Sequence, residues 1–303
     1  MSNITNAQNP FYGQYHTPHG TVPFDRIKTE HYEPAILEGI KLQNAEIEAI
    51  IQNPEKADFS NTIEAFEESG ELLDKVVAVF GNMLSAETND DLQELAQKIM
   101  PLLSEHSNNI TLNEQLFARV KEVYNQKETL QLTQEQKQLL ENAYNSFVRH
   151  GANLKGEARE EYRRLTTELS KLTLTFSENN LKETNAYQML LTKKESLAGL
   201  PDIIVEAAAE TAKSEGKEGW VFTLHAPSYV PFMTYSDNRD LRQKLYMAYN
   251  TKCTHDNEFN NIDIVKKIAN TRMKIAQLLG YKDYAEYTLK KRMAENSESV
   301  YKL

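Results

Sequence analysis

Along most of the chain apolar residues recur at intervals of three and four, the period that lines up one face of an α-helix. Ile36, Ile40, Ala45 or Ile47, and Ile50-Ile51 form one such stripe, and Ile63, Phe66, Leu73, Val76-Val77 and Phe80 the next. Asn61, with Glu64 three residues on, marks a helix start. Thr111-Leu112-Asn113-Glu114 and Thr133-Gln134-Glu135-Gln136 both match the capping box. In that motif a hydroxyl and a side chain three residues later satisfy amides that the first helical turn leaves unpaired. Each box is followed by its own stripe: Leu116, Val120 and Val123, then Leu139-Leu140, Ala143 and Phe147.

The most regular pattern is Leu154, Ala158, Tyr162, Leu165, Leu169, Leu172 and Phe176, spaced 4, 4, 3, 4, 3, 4. It predicts a helix over about 152–180 with a seam for a neighbouring helix. At about three heptads the seam fits an intramolecular helical hairpin; the alternative is a dimerising coiled coil.

The period changes after residue 185. Ala186–Leu191 and Trp220-Val221-Phe222-Thr223-Leu224 are β-branched and aromatic and predict strands, with a short helix from Leu200-Pro201-Asp202 between them. Pro227 and Pro231 exclude a central strand through Ser228–Phe232. Helical spacing returns beyond Asp237 or Asn238 with Leu241, Leu245, Tyr246 and Tyr249. Asn260 or Asn261 caps a further helix that ends at Gly280, a residue free to adopt left-handed φ. Tyr284, Tyr287, Leu289 and Met293 mark another, and Ser297-Glu298-Ser299-Val300 opens one more just before Leu303. The expected architecture is mainly α: long antiparallel helices with a small β insertion at 186–236. The expected segments are an extended, proline-rich 1–34, a helical 35–185, the β insertion, and a helical 237–303.

Composition agrees with helices and narrows the partners. Among 303 residues only 11 are glycine and 9 proline, too few for the turns of an all-β protein. The net charge is −10, and the basic groups Arg163-Arg164 and Lys290-Lys291-Arg292 lie among acids or on amphipathic helices. No nucleic-acid or membrane surface is expected, because both require concentrated Lys and Arg. The single Cys253 allows no intrachain disulfide and is read as a buried, incidental thiol. Met1–Asn6 carries neither a basic nor an apolar leader pattern, so a soluble, cytoplasmic protein is expected.

Self-contained chemistry is absent from the motif census. No histidine among His16, His19, His31, His106, His150, His225 and His255 is followed by glutamate, so the zinc-binding HExxH helix does not occur. No GxGxxG, GxxxxGK[ST] or GxSxG motif occurs either. His16 and His19 are separated by Pro18, which breaks the helix that would aim both at one metal. The pairs Glu67-Glu68 and Glu160-Glu161 are adjacent and diverge on a helix, which suits solvated faces. His225, at a strand end, is read as a hydrogen-bonded structural residue. No catalytic, cofactor-binding or metal-binding residue is assigned.

Three ordered blocks go beyond composition. Trp220 through Tyr235, leading into Asn238-Arg239, Leu241-Arg242 and Tyr246-Met247-Ala248-Tyr249, resembles the block "TL..PSY.P.M.Y..NR.LR..LY.AY.T" of the thimet-oligopeptidase-like zinc metallopeptidases. Phe147 through Leu154, with Leu172 and Phe176-Ser177-Glu178-Asn179, resembles that family's "F.R.GA.L…L…FSEN" helix pair. Ala276 through Ala285, with Met293-Ala294, resembles its "A.LLGY..YA……MA" segment, and Asn9-Pro10 with Pro23 through Tyr32 fits its N-terminal entry.

The resemblance implies the N-terminal, mostly helical half of a two-lobed peptidase whose halves flank a deep channel. It implies that this half walls the channel, with Tyr229 and Tyr235 able to reach it or to pack in the core. The zinc ligands and the general-base glutamate that activate water would lie downstream of the third block, so none maps here. Zinc is accordingly expected in the full-length protein and not in this chain. The implied function is a peptidyl-dipeptidase or oligopeptidase acting on short peptides, monomeric, with this chain inactive alone. The alternative is a non-enzymatic helical scaffold dimerising through the 154–176 seam.

Overall fold

The computed structural model describes residues 9–303; the first eight residues of the expected extended segment lie outside the described residues. The helices are α1 (Thr29–Gln52), α2 (Ala65–Glu67, continuing a π-helical turn Phe59–Glu64), α3 (Glu71–Ala86), α4 (Asp90–Thr111), α5 (Glu114–Asn125), α6 (Gln134–Arg149) and α7 (Glu157–Ala186). Then come strand β1 (Met189–Leu191), α8 (Asp202–Ser214), strand β2 (Trp220–Phe222), α9 (Ala226–Tyr235), α10 (Arg239–Asn250), α11 (Ile262–Leu278), α12 (Tyr284–Leu289) and α13 (Ser297–Lys302). The chain is 69% helical, and β1 and β2 are the two strands among the described residues. The mainly α class follows from the dominant three-to-four period.

The local chemistry explains most helix boundaries and corrects several. Thr133 is a working capping box: its Oγ1 accepts from Gln136 N at 3.3 Å and Gln136 Oε1 accepts from Thr133 N at 3.1 Å. Thr111 is not one. Its hydroxyl donates back to Ser107 O at 2.8 Å inside α4, while Asn113 Oδ1 accepts from Gln115 N and Leu116 N to start α5. Asp58, not Asn61, is the first cap of the 59–67 helical stretch, and Asn61 returns the bond from three residues on. Helix α1 begins at Thr29, ahead of the stripe, and carries Pro34 near its start. The largest departure is α9, which forms through Pro227 and Pro231. Pro227 falls in the first turn, where the missing N–H has no helical partner to lose.

The chain divides into two compact units, one running to Lys171 and resuming at Thr271–Leu303, the other Leu172–Asn270. In the first, α1 and α3 meet at Gly39, where an added Cβ would lie 2.9 Å from Leu73 Cα. The core beneath is built from Ile47, Ile63, Leu116, Val120, Leu140 and Phe147, with Phe66 and Phe117 rings 5.3 and 5.8 Å from Phe147. The N-terminal segment is strapped onto this unit. Lys75 Nζ donates to Phe11 O at 3.2 Å and Gly13 O at 2.7 Å, and sits 4.1 Å from the Tyr15 ring centroid. Phe11 is buried 5.4 Å from Tyr32.

The first part of the α7 seam is filled from within the same unit. Tyr162 and Leu165 are buried with Leu112 and Ile275, and Leu154, Leu169, Leu278 and Leu279 pack against them. These positions thus face the chain's own residues.

In the second unit β1 and β2 pair antiparallel, with Met189 opposite Phe222, Leu190 opposite Val221 and Leu191 opposite Trp220. Met189, Leu191 and Phe222 bury with Phe232 of α9 and Leu245 of α10. Helix α9 thereby occupies what the sequence pattern left as a proline-broken stretch.

Two measurements test this packing. Gly39→Ala is expected to destabilise the protein by ~1–3 kcal/mol, through overpacking against the Leu73 backbone. Gly81→Ala, on an exposed turn of α3 with open space at its Cβ, should stabilise it by up to about 1 kcal/mol. Urea titrations of the two variants check the opposite signs.

Buried histidines set a pH dependence. Burial lowers the His31 and His106 pKa values below the ordinary 6.5. His31 Nδ1 accepts from Lys28 N at 3.0 Å, and His106 pairs with Gln43 Oε1 at 2.7 Å. The folded state therefore binds fewer protons than the unfolded, and stability is full above about pH 6.5 and falls as pH drops below it. The denaturation midpoint should decrease between pH 7 and pH 5, and less steeply in His106→Gln.

Candidate functional site

The aromatic block sits on the α9–α10 pair. Asn238 Oδ1 accepts from Leu241 N at 3.1 Å and so starts α10; Asp237 instead gives its backbone N–H to Ala198 O at 2.9 Å. Gly199, at φ 87, lets the chain pass where a Cβ would lie 2.3 Å from Tyr235 O. With α9 held in this way, the Tyr229 ring stacks on Tyr249 at 4.2 Å and 20°, and Lys252 Nζ lies 4.4 Å from the Tyr249 centroid. Burial raises the Tyr229 hydroxyl pKa, with smaller contributions from Tyr249 and Tyr246. Tyr235, Tyr246 and Met247 are exposed. The cluster offers aromatic faces and hydroxyls to a ligand but no nucleophile, base or acid at neutral pH.

His225 precedes α9 and is hydrogen-bonded on both nitrogens, to Thr223 Oγ1 at 3.1 Å and Asn185 Oδ1 at 3.0 Å. Ser228 Oγ accepts from Thr223 N at 3.0 Å and closes the same turn. Both ring nitrogens are engaged in holding the β2–α9 junction.

A thiol, a carboxylate and an imidazole do converge beyond α10, a grouping invisible in the sequence because 70 residues separate its members. Cys253, buried and at φ 59, gives its backbone N–H to Glu183 Oε2, and His255 Nε2 lies 3.6 Å from Glu183 Oε1. Lys252 Nζ donates to Thr184 Oγ1 at 3.0 Å, and Asn261 Nδ2 to Phe176 O at 2.9 Å. These bonds fasten the 251–261 loop to the second half of α7. Burial first, then the hydrogen bond and charge of Glu183, push the thiol pKa up to about 11. A catalytic thiol needs the opposite shift, so the group is a fastening and not a nucleophile.

The remaining candidates stay apart. His19 lies in an exposed turn, Pro18–Gly20, at φ 59. Glu161 pairs with Arg164 at 2.7 Å on the surface. Among the described residues no three His, Cys, Asp or Glu come together in a way that could hold a metal ion.

Comparisons with known proteins give the class. Residues 232–303, which include the end of α9 and all of α10 to α13, match the model of peptidase family M3. Nearly the whole chain is also similar to curated members. It is 35% identical over 295 residues to the dipeptidyl carboxypeptidase of Escherichia coli K12, covering 97% of this chain and 43% of that protein. It is 32% identical over 285 residues to oligopeptidase A of Haemophilus influenzae, covering 93% and 42%. A probable cytosolic oligopeptidase A of Arabidopsis thaliana matches at 28% over 303 residues, covering 97% and 42%. The chain is thus similar to members of peptidase family M3 and spans less than half the length of these relatives.

The Cys253 environment is directly testable. Native protein at pH 8 should react slowly with a disulfide reagent, and unfolded protein at the rate of a free thiol. Glu183→Gln removes a charge that raises the thiol pKa and loosens the loop, so it should accelerate the native reaction.

Proposed function

We propose that this chain is the N-terminal, non-catalytic portion of a zinc-dependent peptidyl-dipeptidase or oligopeptidase that hydrolyses short peptides. The observation that carries the reading is the asymmetry of coverage: 97% of this chain aligns to 43% of a dipeptidyl carboxypeptidase. The family-model match across 232–303 and the lack of any HExxH in the sequence support it. On this reading the chain contributes to one wall of a substrate channel, and the exposed tyrosines of α9–α10 face peptides. The segment 237–303 leads toward the catalytic portion, which carries the zinc. The full-length protein is cytoplasmic and monomeric, binding neither nucleic acid nor membrane. No helix among the described residues is long and apolar enough to cross a membrane.

Purified 303-residue chain with added zinc should not cleave short peptides above blank. Supplying the portion of the peptidase that the chain lacks, fused or co-expressed, should restore chelator-sensitive cleavage. Stoichiometric, chelator-sensitive turnover by the chain alone would overturn the proposal. Light scattering should report a monomer. A dimer lost in Leu172→Asp would instead support a scaffold joined through the 154–176 seam.

A further inference from the structure

Helix α11 carries two apolar faces, and the fold covers one of them. At about 100° per residue, Ile264, Ile268, Thr271, Ile275 and Leu278 fall on one side. Ile268, Thr271 and Ile275 are buried there. The polar side chains Asp263, Lys266, Lys267, Asn270, Lys274 and Gln277 are confined to roughly 100° of arc elsewhere on the helix. The remaining arc holds Ile262, Val265, Ala269 and Met273, all exposed. Ile262 is 40% exposed, Val265 48% and Met273 41%. Arg272 stands between the two apolar arcs and turns its guanidinium onto the Tyr284 ring, 5.4 Å from the centroid.

Isolated apolar residues on a surface are ordinary, but an aligned row of them along a helix is not. A surface helix buries one apolar stripe; one whose apolar residues extend around more than half its circumference is built to be covered on a further side. The polar face of α11 is satisfied separately, with Lys266 Nζ 3.3 Å from Asp263 Oδ1.

Two observations choose what covers the row. The 295 aligned residues are 43% of the dipeptidyl carboxypeptidase, and α11 lies within the stretch 232–303 that matches the family model. The row is also too small for a free partner. Four side chains on one helix, with none of the larger ones more than half exposed, fall far short of the ~800 Å² per partner of a stable protein–protein interface. A segment of the same polypeptide needs no such area, because tethering raises its effective concentration.

We infer that the exposed row Ile262, Val265, Ala269 and Met273 is an interaction surface for an apolar face of the peptidase portion that this chain lacks. This rests on the reading that the chain is part of a longer peptidase, and it names a surface through which the two parts meet.

The test compares thiol accessibility in the 303-residue chain and in the same chain extended by the portion it lacks. Val265→Cys and Met273→Cys place a thiol on the row, and Lys267→Cys places one on the polar face. Each variant is alkylated with N-ethylmaleimide, and the modified position is quantified by mass spectrometry of the peptide that holds it. In the 303-residue chain all three should react at the rate of a free thiol. In the extended protein the two on the row should slow at least about tenfold, with Lys267→Cys unchanged. Val265→Asp puts a charge on the row without touching the core. It should leave the urea midpoint of the chain unchanged and lower that of the extended protein. Undiminished reactivity of both row positions in the extended protein would overturn the inference, as would equal slowing of Lys267→Cys. Slowing within the shorter chain as its concentration rises would overturn it in favour of a second copy. Peptide cleavage is assayed on the same extended preparation. Cleavage with an open row defeats the inference alone, whereas a covered row without cleavage defeats the peptidase reading and leaves the surface standing.

Discussion

One packing constraint shapes the first unit: the apolar seam at the start of α7 must be covered, and the chain covers it with segments far away in sequence. Leu112 at the end of α4 and Ile275, Leu278 and Leu279 near the end of α11 close over Tyr162 and Leu165. The unit is discontinuous for this reason, resuming at Thr271 after about a hundred residues devoted to the other unit. Covering a Tyr and several Leu side chains is worth roughly 1.5–3 kcal/mol for each one fully buried, enough to offset the entropy of closing so long a loop. The corner that follows, with Arg149 and Tyr287 in mutual contact, depends on that return.

The second unit relies more on polar fastening. Its two strands are three residues each and could not persist alone; α8, α9 and α10 supply the apolar cover. The 251–261 loop is held to α7 by Glu183, Thr184, Asn179 and the Phe176 carbonyl, with Cys253 and Asn261 buried. That use of Glu183 explains why a thiol, a carboxylate and an imidazole can meet without making a reactive centre. The carboxylate stabilises the protonated thiol and is itself spent on a backbone amide.

Much of this was legible along the chain. The stripes located the long helices, and the three resemblance blocks pointed to the family whose members the comparisons then matched. Where motifs misled, a local competitor had taken the group. Thr111 reads as a capping residue like Thr133, but its hydroxyl bonds back to Ser107 and Asn113, two residues on, has a better-placed oxygen. Asn260 and Asn261 were equivalent caps on paper; Asn260 accepts from Ile262 N, while Asn261 turns to α7. Prolines 227 and 231 correctly argued against a strand, yet the helix they sit in forms because Phe232 is drawn into the core under β2.

The amino-acid sequence by itself determined the class of fold, the spans of the long helices and the lack of a self-contained zinc motif, because each depends on short-range periodicity or spacing. Only the tertiary structure decided what covers the start of the α7 seam, which asparagine caps and which one bridges, and that Arg272 Nε and the Thr288 hydroxyl are left without hydrogen-bond partners. Those outcomes hang on contacts between residues tens to more than a hundred positions apart. No local pattern records which of several compatible surfaces a side chain will meet.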